Sequence, residues 1–141
     1  MRIARRLLDE VIAHARADAP NECCGMIASR DGEAVAVHRA RNSLASPFRY
    51  DVDARDLHRI LTDIEDGGLD LGAIYHSHTR SDPVPSQTDI NLADWGDPPQ
   101  ARYPGALYVI VGVKDPESPD VRAWAIGGGR YEPVALEVEE A

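Results

Sequence analysis

The stretch from Leu69 to Trp95 changes its period twice, and each change narrows the folds open to the chain. Leu69 to Tyr75 is a short apolar run that follows Gly67-Gly68 and ends in His76-Ser77-His78. A run of this length between a glycine pair and a polar stop reads as a buried strand. Thr79-Arg80-Ser81-Asp82-Pro83-Val84-Pro85 is rich in turn formers and reads as a loop. Ser86-Gln87-Thr88-Asp89 then precedes Ile90, Leu92, Ala93 and Trp95. Ser86 is a good helix N-cap, and Asp89 at N3 makes a weaker form of the capping box. The chain is thus committed to a strand, a sharp loop and a helix start tethered to one another.

Side chains alternate along a strand, so His76 and His78 aim at one point while Ser77 points away. The loop lets Asp89, in the first helical turn, reach that point. Two imidazoles and one carboxylate are a full protein ligand set for a catalytic divalent metal, because three ligands leave one coordination position for water. Each residue alone has a plainer role. A His-x-His pair is often two polar residues on a strand, and an Asp at a helix start often serves only the helix. Ser77 reads as structural. The combination with a Pro-x-Ser-x-x-Asp loop is what points to a metal.

These residues resemble the JAMM (MPN+) metallopeptidase signature: a distal Glu, then His-x-His, seven residues, Ser, two residues and Asp. His76, Ser77 and His78 are followed by Thr79 to Pro85, Ser86, Gln87-Thr88 and Asp89, so every position is filled. The distal Glu corresponds to Glu22, in Pro20-Asn21-Glu22-Cys23-Cys24-Gly25-Met26-Ile27-Ala28, which is similar to short bacterial members of the family. One departure is Thr79, where Pro is common; it touches no ligand. The resemblance implies one zinc ion per chain on His76, His78 and Asp89. It implies that Glu22 is a general base for the attacking water and that Ser86 donates a hydrogen bond to the oxyanion. Such roles suit a hydrolase, which needs a base that is not itself a ligand and a donor aimed at developing charge. Ser86 also has its competing duty as N-cap. Without the resemblance, nothing would select Glu22 over Glu10 or Glu33.

At 141 residues the chain is expected to form one domain, residues 1–141, with one core. Fifteen Lys and Arg against 24 Asp and Glu leave a net charge of -9, which argues against non-specific binding to nucleic acid or an anionic membrane. No apolar run approaches the roughly 20 residues of a membrane span. The arginines at 2, 5 and 6 are not followed by a signal-peptide core. Cys23 and Cys24, the two cysteines, read as small packing groups at a strand start, so a reducing, cytoplasmic setting is the default.

Along the chain, Ile3, Leu7, Leu8, Val11, Ile12 and Ala15 predict an amphipathic first helix ending before Pro20. Cys24–Ser29 and Ala34–Arg41 flank Asp31-Gly32 as a hairpin. Asp53 to Ile64 predicts a second helix, stopped by Gly67-Gly68. Ala106–Val113, Val121–Ile126 and Tyr131–Val138 predict strands, with loops at 42–48 and 97–105. Gly127-Gly128-Gly129 lacks a following Lys-Ser/Thr and reads as a turn. His14 and His58 on helices and His38 on a strand read as surface or partly buried residues. This order is α+β or α/β around a mixed sheet. The resemblance implies the MPN fold, a mixed central sheet flanked by helices and similar in plan to cytidine deaminase.

The resemblance further implies cleavage of an amide or isopeptide bond after the Gly-Gly tail of a ubiquitin-like or sulfur-carrier protein, with release of an amino acid such as cysteine. The tail groove is placed at the 42–48 and 97–105 loops. Two other functions stand beside this one: a non-catalytic MPN scaffold, and a RadC-like metal-dependent DNA factor. The full ligand set speaks against the first, the acidic charge against the second.

Overall fold

The computed structural model describes residues 1–140. Its elements run β1 (Arg2–Ala4), α1 (Arg5–Asp18), β2 (Cys24–Arg30), β3 (Glu33–Ala40), α2 (Ala54–Asp66), β4 (Asp70–His78), α3 (Gln87–Ala93), β5 (Asp94–Trp95), β6 (Gln100–Ala101), β7 (Leu107–Gly112), β8 (Asp120–Gly127), β9 (Arg130–Val134) and β10 (Glu137–Glu139). The main sheet has the order β10-β1-β3-β2-β4-β7-β8-β9. It is mixed: β2 runs antiparallel to β3 and β4, while β7 is parallel to β4. This is the α+β arrangement expected, with helices on both faces.

Sequence period decides which face each helix covers. α1 carries Leu7, Leu8, Val11, Ile12 and Ala15 at helical spacing and buries them against Ile27, Tyr75, Val109 and Val111. α2 and α3 place Ile60, Ile64, Ile90 and Ala93 on the opposite face, against Met26, Ile74, Ile110 and Trp124. Each fully buried Ile or Val contributes roughly 1.5–3 kcal/mol. Ile74 and Tyr75 are neighbours in β4 yet join different clusters, as the two-residue period requires. His76, on the same side as Ile74, therefore emerges on the α2–α3 face.

Three sequence expectations need correction. Ile3 belongs to β1, and the first helix starts only at Arg5. β1 pairs with β10 and β3, partners more than 20 residues away that a local pattern cannot reveal. The expected strand Tyr131–Val138 is two strands. β9 lies at one edge of the sheet, and β10 at the other. Only Ala135 and Leu136 separate them, a span of roughly 11 Å at most. The sheet must therefore curl until its edges nearly meet; Ala135 accepts the Met1 amino group and Glu137 N–H binds Met1 O. Finally, the 97–105 loop is not wholly irregular, because Gln100–Ala101 pairs with Asp94–Trp95. The triple-glycine turn is as expected: Gly128 and Gly129 have φ of 61° and 75°, and both N–H groups donate to the Asp94 carboxylate.

Candidate metal centre

β4 delivers the two histidines. Its register places His76 opposite Cys24 on β2 and Ile110 on β7, with His78 opposite Gly112. A Cβ on Gly112 would lie 2.9 Å from Pro83 Cδ, so glycine there lets the 79–85 loop cross close to the strand end. The loop is held from both sides. Trp124 Nε1 donates to Pro83 O at 2.9 Å, and His78 Nδ1 donates to Asp82 O at 2.8 Å. It then enters α3 through a complete capping box: Ser86 Oγ accepts the Asp89 N–H at 3.1 Å, and Asp89 Oδ2 accepts the Ser86 N–H at 3.0 Å. The box is therefore stronger than its Asp suggested, and it fixes the Asp89 carboxylate facing the histidines.

His76 Nε2 lies 3.3 Å from His78 Nε2 and 3.2 Å from Asp89 Oδ1, while His78 Nε2 is 2.9 Å from Asp89 Oδ2. All three side chains are buried. Two ligands of one tetrahedral ion held at 2.0–2.1 Å lie roughly 3.3 Å apart, so these separations fit a shared divalent cation. His76, His78 and Asp89 form the metal-ligand cluster found among the described residues. The chemistry of the donors agrees. A carbonyl only accepts, so the Asp82 contact puts a hydrogen on His78 Nδ1 and directs Nε2 at the site. With Asp89 also accepting from Nε2, His78 carries a proton that a cation would replace.

The charges shift accordingly. Burial opposes charge on Asp89, but hydrogen bonds from His76 and His78 outweigh it and hold the carboxyl well below its usual range. Burial lowers the His76 pKa. Burial also acts against His78, yet the Asp89 hydrogen bond and the Asp82 carbonyl raise it.

Glu22 sits one residue before the buried Cys23-Cys24 pair at the entrance of β2, and is itself 4% exposed. Burial pushes its carboxyl up to about 8; the His78 charge works against this and the Asp89 charge adds to it. Glu22 Oε1 and His76 Nδ1 are the buried side-chain atoms without a hydrogen-bond partner among the described residues. Orphaned buried groups gather at functional sites, and both of these lie here. Ser86 is exposed. Its oxygen is engaged as an acceptor, which leaves its hydroxyl hydrogen free to donate. The N-cap duty uses the oxygen alone and does not conflict with the donor role expected of the hydroxyl.

Sequence reasoning missed Tyr50 and Asp82. The Tyr50 ring is buried and stacks on His76 with centroids 4.3 Å apart and planes at 19°. No periodicity marks it, since it follows a loop. Cys23 and Cys24 are buried free thiols, pushed up to about 12 by burial, and act as packing groups. His38 is half-buried and His58 exposed, but His14 is buried, contrary to expectation.

Residues 4–127 match the family described as prokaryotic homologs of the JAB domain. The chain is 33% identical over 125 residues to the CysO-cysteine peptidase of Mycobacterium tuberculosis, covering 87% of this chain and 80% of that one. It is 38% identical over 125 residues to the desampylase of Haloferax volcanii, covering 83% and 79%. A JAB1/MPN domain protein from Archaeoglobus fulgidus has the same fold, with a TM-score of 0.62 at 19% identity over 99% of this chain and 100% of the other. The chain belongs to the JAB/MPN family, in its prokaryotic branch.

Proposed function

We propose that the protein is a zinc-dependent hydrolase that cuts the amide bond after the Gly-Gly tail of a sulfur-carrier or ubiquitin-like protein. The relatives named CysO-cysteine peptidase and desampylase support the reaction class. The observation that carries the reading is the convergence of His76, His78 and Asp89 beside a buried, unpartnered Glu22. A zinc ion on those three ligands would supply a Lewis acid that polarises a carbonyl and lowers the pKa of water.

The chain's own residues do the rest. Glu22, buried and without a hydrogen-bond partner for Oε1, takes a proton from the attacking water and returns it to the leaving amine. The Ser86 hydroxyl donates to the developing oxyanion. Tyr50 and the Asp82 carbonyl fix the two imidazole planes. The released group is an amino acid such as cysteine. The free cysteines fit a reducing cytoplasm.

The test is direct. Protein loaded with about one equivalent of zinc is incubated with a carrier protein joined through its C-terminal glycine to cysteine or to a lysine side chain. Mass spectrometry is expected to show the carrier shortened to Gly-Gly by wild type and left intact by Glu22→Gln. Failure of wild type to cut any such adduct would sink the reading.

A further inference from the structure

The last three residues of β4 and Thr79, which follows it, divide their work by parity. His76 and His78 face Asp89. Ser77 and Thr79 instead hold the segment that carries Glu22. Ser77 Oγ accepts the Cys23 N–H at 2.8 Å, and Ser77 N–H donates to Cys23 O at 3.2 Å, which extends the β2–β4 ladder one step beyond Cys24. Thr79 Oγ1 donates to Pro20 O at 3.0 Å, with a longer branch to Pro47 O at 3.4 Å. Glu22 is therefore gripped on both sides, two residues before it and one after. Its own backbone is also tied to the 42–48 loop: Glu22 N–H donates to Ser46 O at 2.8 Å, and Asn42 Nδ2 donates to Glu22 O at 3.1 Å.

We infer that Ser77 and Thr79 are positioning residues for Glu22, so that one strand end sets both the ligand pair and the place of the base. This rests on Glu22 being the base. The Thr79 hydroxyl supplies the hydrogen that Pro20 O accepts, which a side chain without a hydroxyl could not give. A general base acts only within hydrogen-bond reach of its proton, and a shift of about 1 Å can lower the rate on the order of 100-fold.

The experiment uses the zinc-loaded full chain carrying Ser77→Ala, Thr79→Val or both, with zinc content measured first. Zinc stays at about one equivalent and KM holds within about twofold, while kcat falls roughly 10-fold per substitution. Thr79→Ser restores it. Hydrogen exchange adds a readout apart from activity: the Cys23 amide exchanges faster in Ser77→Ala while the Met26 amide stays slow. In a Glu22→Gln background, Thr79→Val has almost no further effect, because the group it positions is gone. Should Ser77→Ala fail to fold, the half-buried Thr79 decides alone. Unchanged kcat in Thr79→Val, lost zinc, or an equal fall in the Glu22→Gln background overturns the inference. Full activity of Glu22→Gln itself instead overturns the assignment of the base.

Discussion

Adjacent residues of β4 serve two clusters built from the same kinds of group, one wholly buried and one whose carboxylate, Asp18, reaches the surface. On the α1 face, the imidazole of His14 lies 3.3 Å from Asp18 and 2.7 Å from the Tyr75 hydroxyl. On the other face, His76 and His78 meet Asp89. The first cluster is closed. Asp18 accepts from Nε2, Nδ1 accepts from Tyr75, and burial keeps the imidazole neutral by lowering its pKa. The second has a surplus of lone pairs and orphaned atoms on His76 and Glu22. A buried histidine beside a carboxylate is thus no sign of a metal. What separates the two is whether donors and acceptors balance.

Substitutions test that contrast. His76→Ala is expected to reduce bound zinc from about one equivalent to none and activity to background, read by metal analysis and peptide release. His14→Ala should leave zinc content untouched.

Glu22→Gln follows, with kcat lower by roughly 10²–10⁴-fold. It should also stabilise the chelator-treated protein at alkaline pH. The folded carboxyl is raised to about 8 from an ordinary 4.5, so its protonation favours the fold fully below the unfolded value and is lost as pH rises through 8. The melting temperature of wild type should therefore fall relative to Glu22→Gln between about pH 5 and 9, by the equivalent of ~1–3 kcal/mol. A constant difference across that range would contradict the buried, unpartnered state of Glu22.

Zinc affinity should weaken as pH falls, because the Asp89 hydrogen bond raises the His78 pKa and protons compete for Nε2. Competition with a chromophoric chelator at two pH values measures this. Tyr75→Phe should have the smallest effect. It leaves His14 Nδ1 without its donor, which costs ~1–3 kcal/mol of stability in denaturant unfolding, with activity within about twofold. Loss of zinc in this variant would show that the two faces are coupled.

The sequence spoke clearly where signals were local. The alternation in His76-Ser77-His78 and the capping pattern of Ser86 and Asp89 announced the ligand geometry, and the α1 and α2 stripes announced their buried faces. Glu22 was different. It is brought beside His78 by β2–β4 pairing between distant residues, and only family likeness singled it out. Tyr50 packs on His76 from a loop, where no period exists to read. β1 and β10 are three residues each and exist only through partners distant in the chain, β10 on β1 and β1 also on β3. His14 was misjudged because its partner Tyr75 sits on a strand far along the chain.

The curled sheet also bears on how the protein keeps company with itself. Its outer rims are β9 and β10, and an unpaired rim invites a neighbour's extended chain to add on as another strand. Pro133 removes one donor from β9, while Glu132, Glu137 and Glu139 put exposed negative charge along both borders. The molecule is thereby kept from clumping through its own edges.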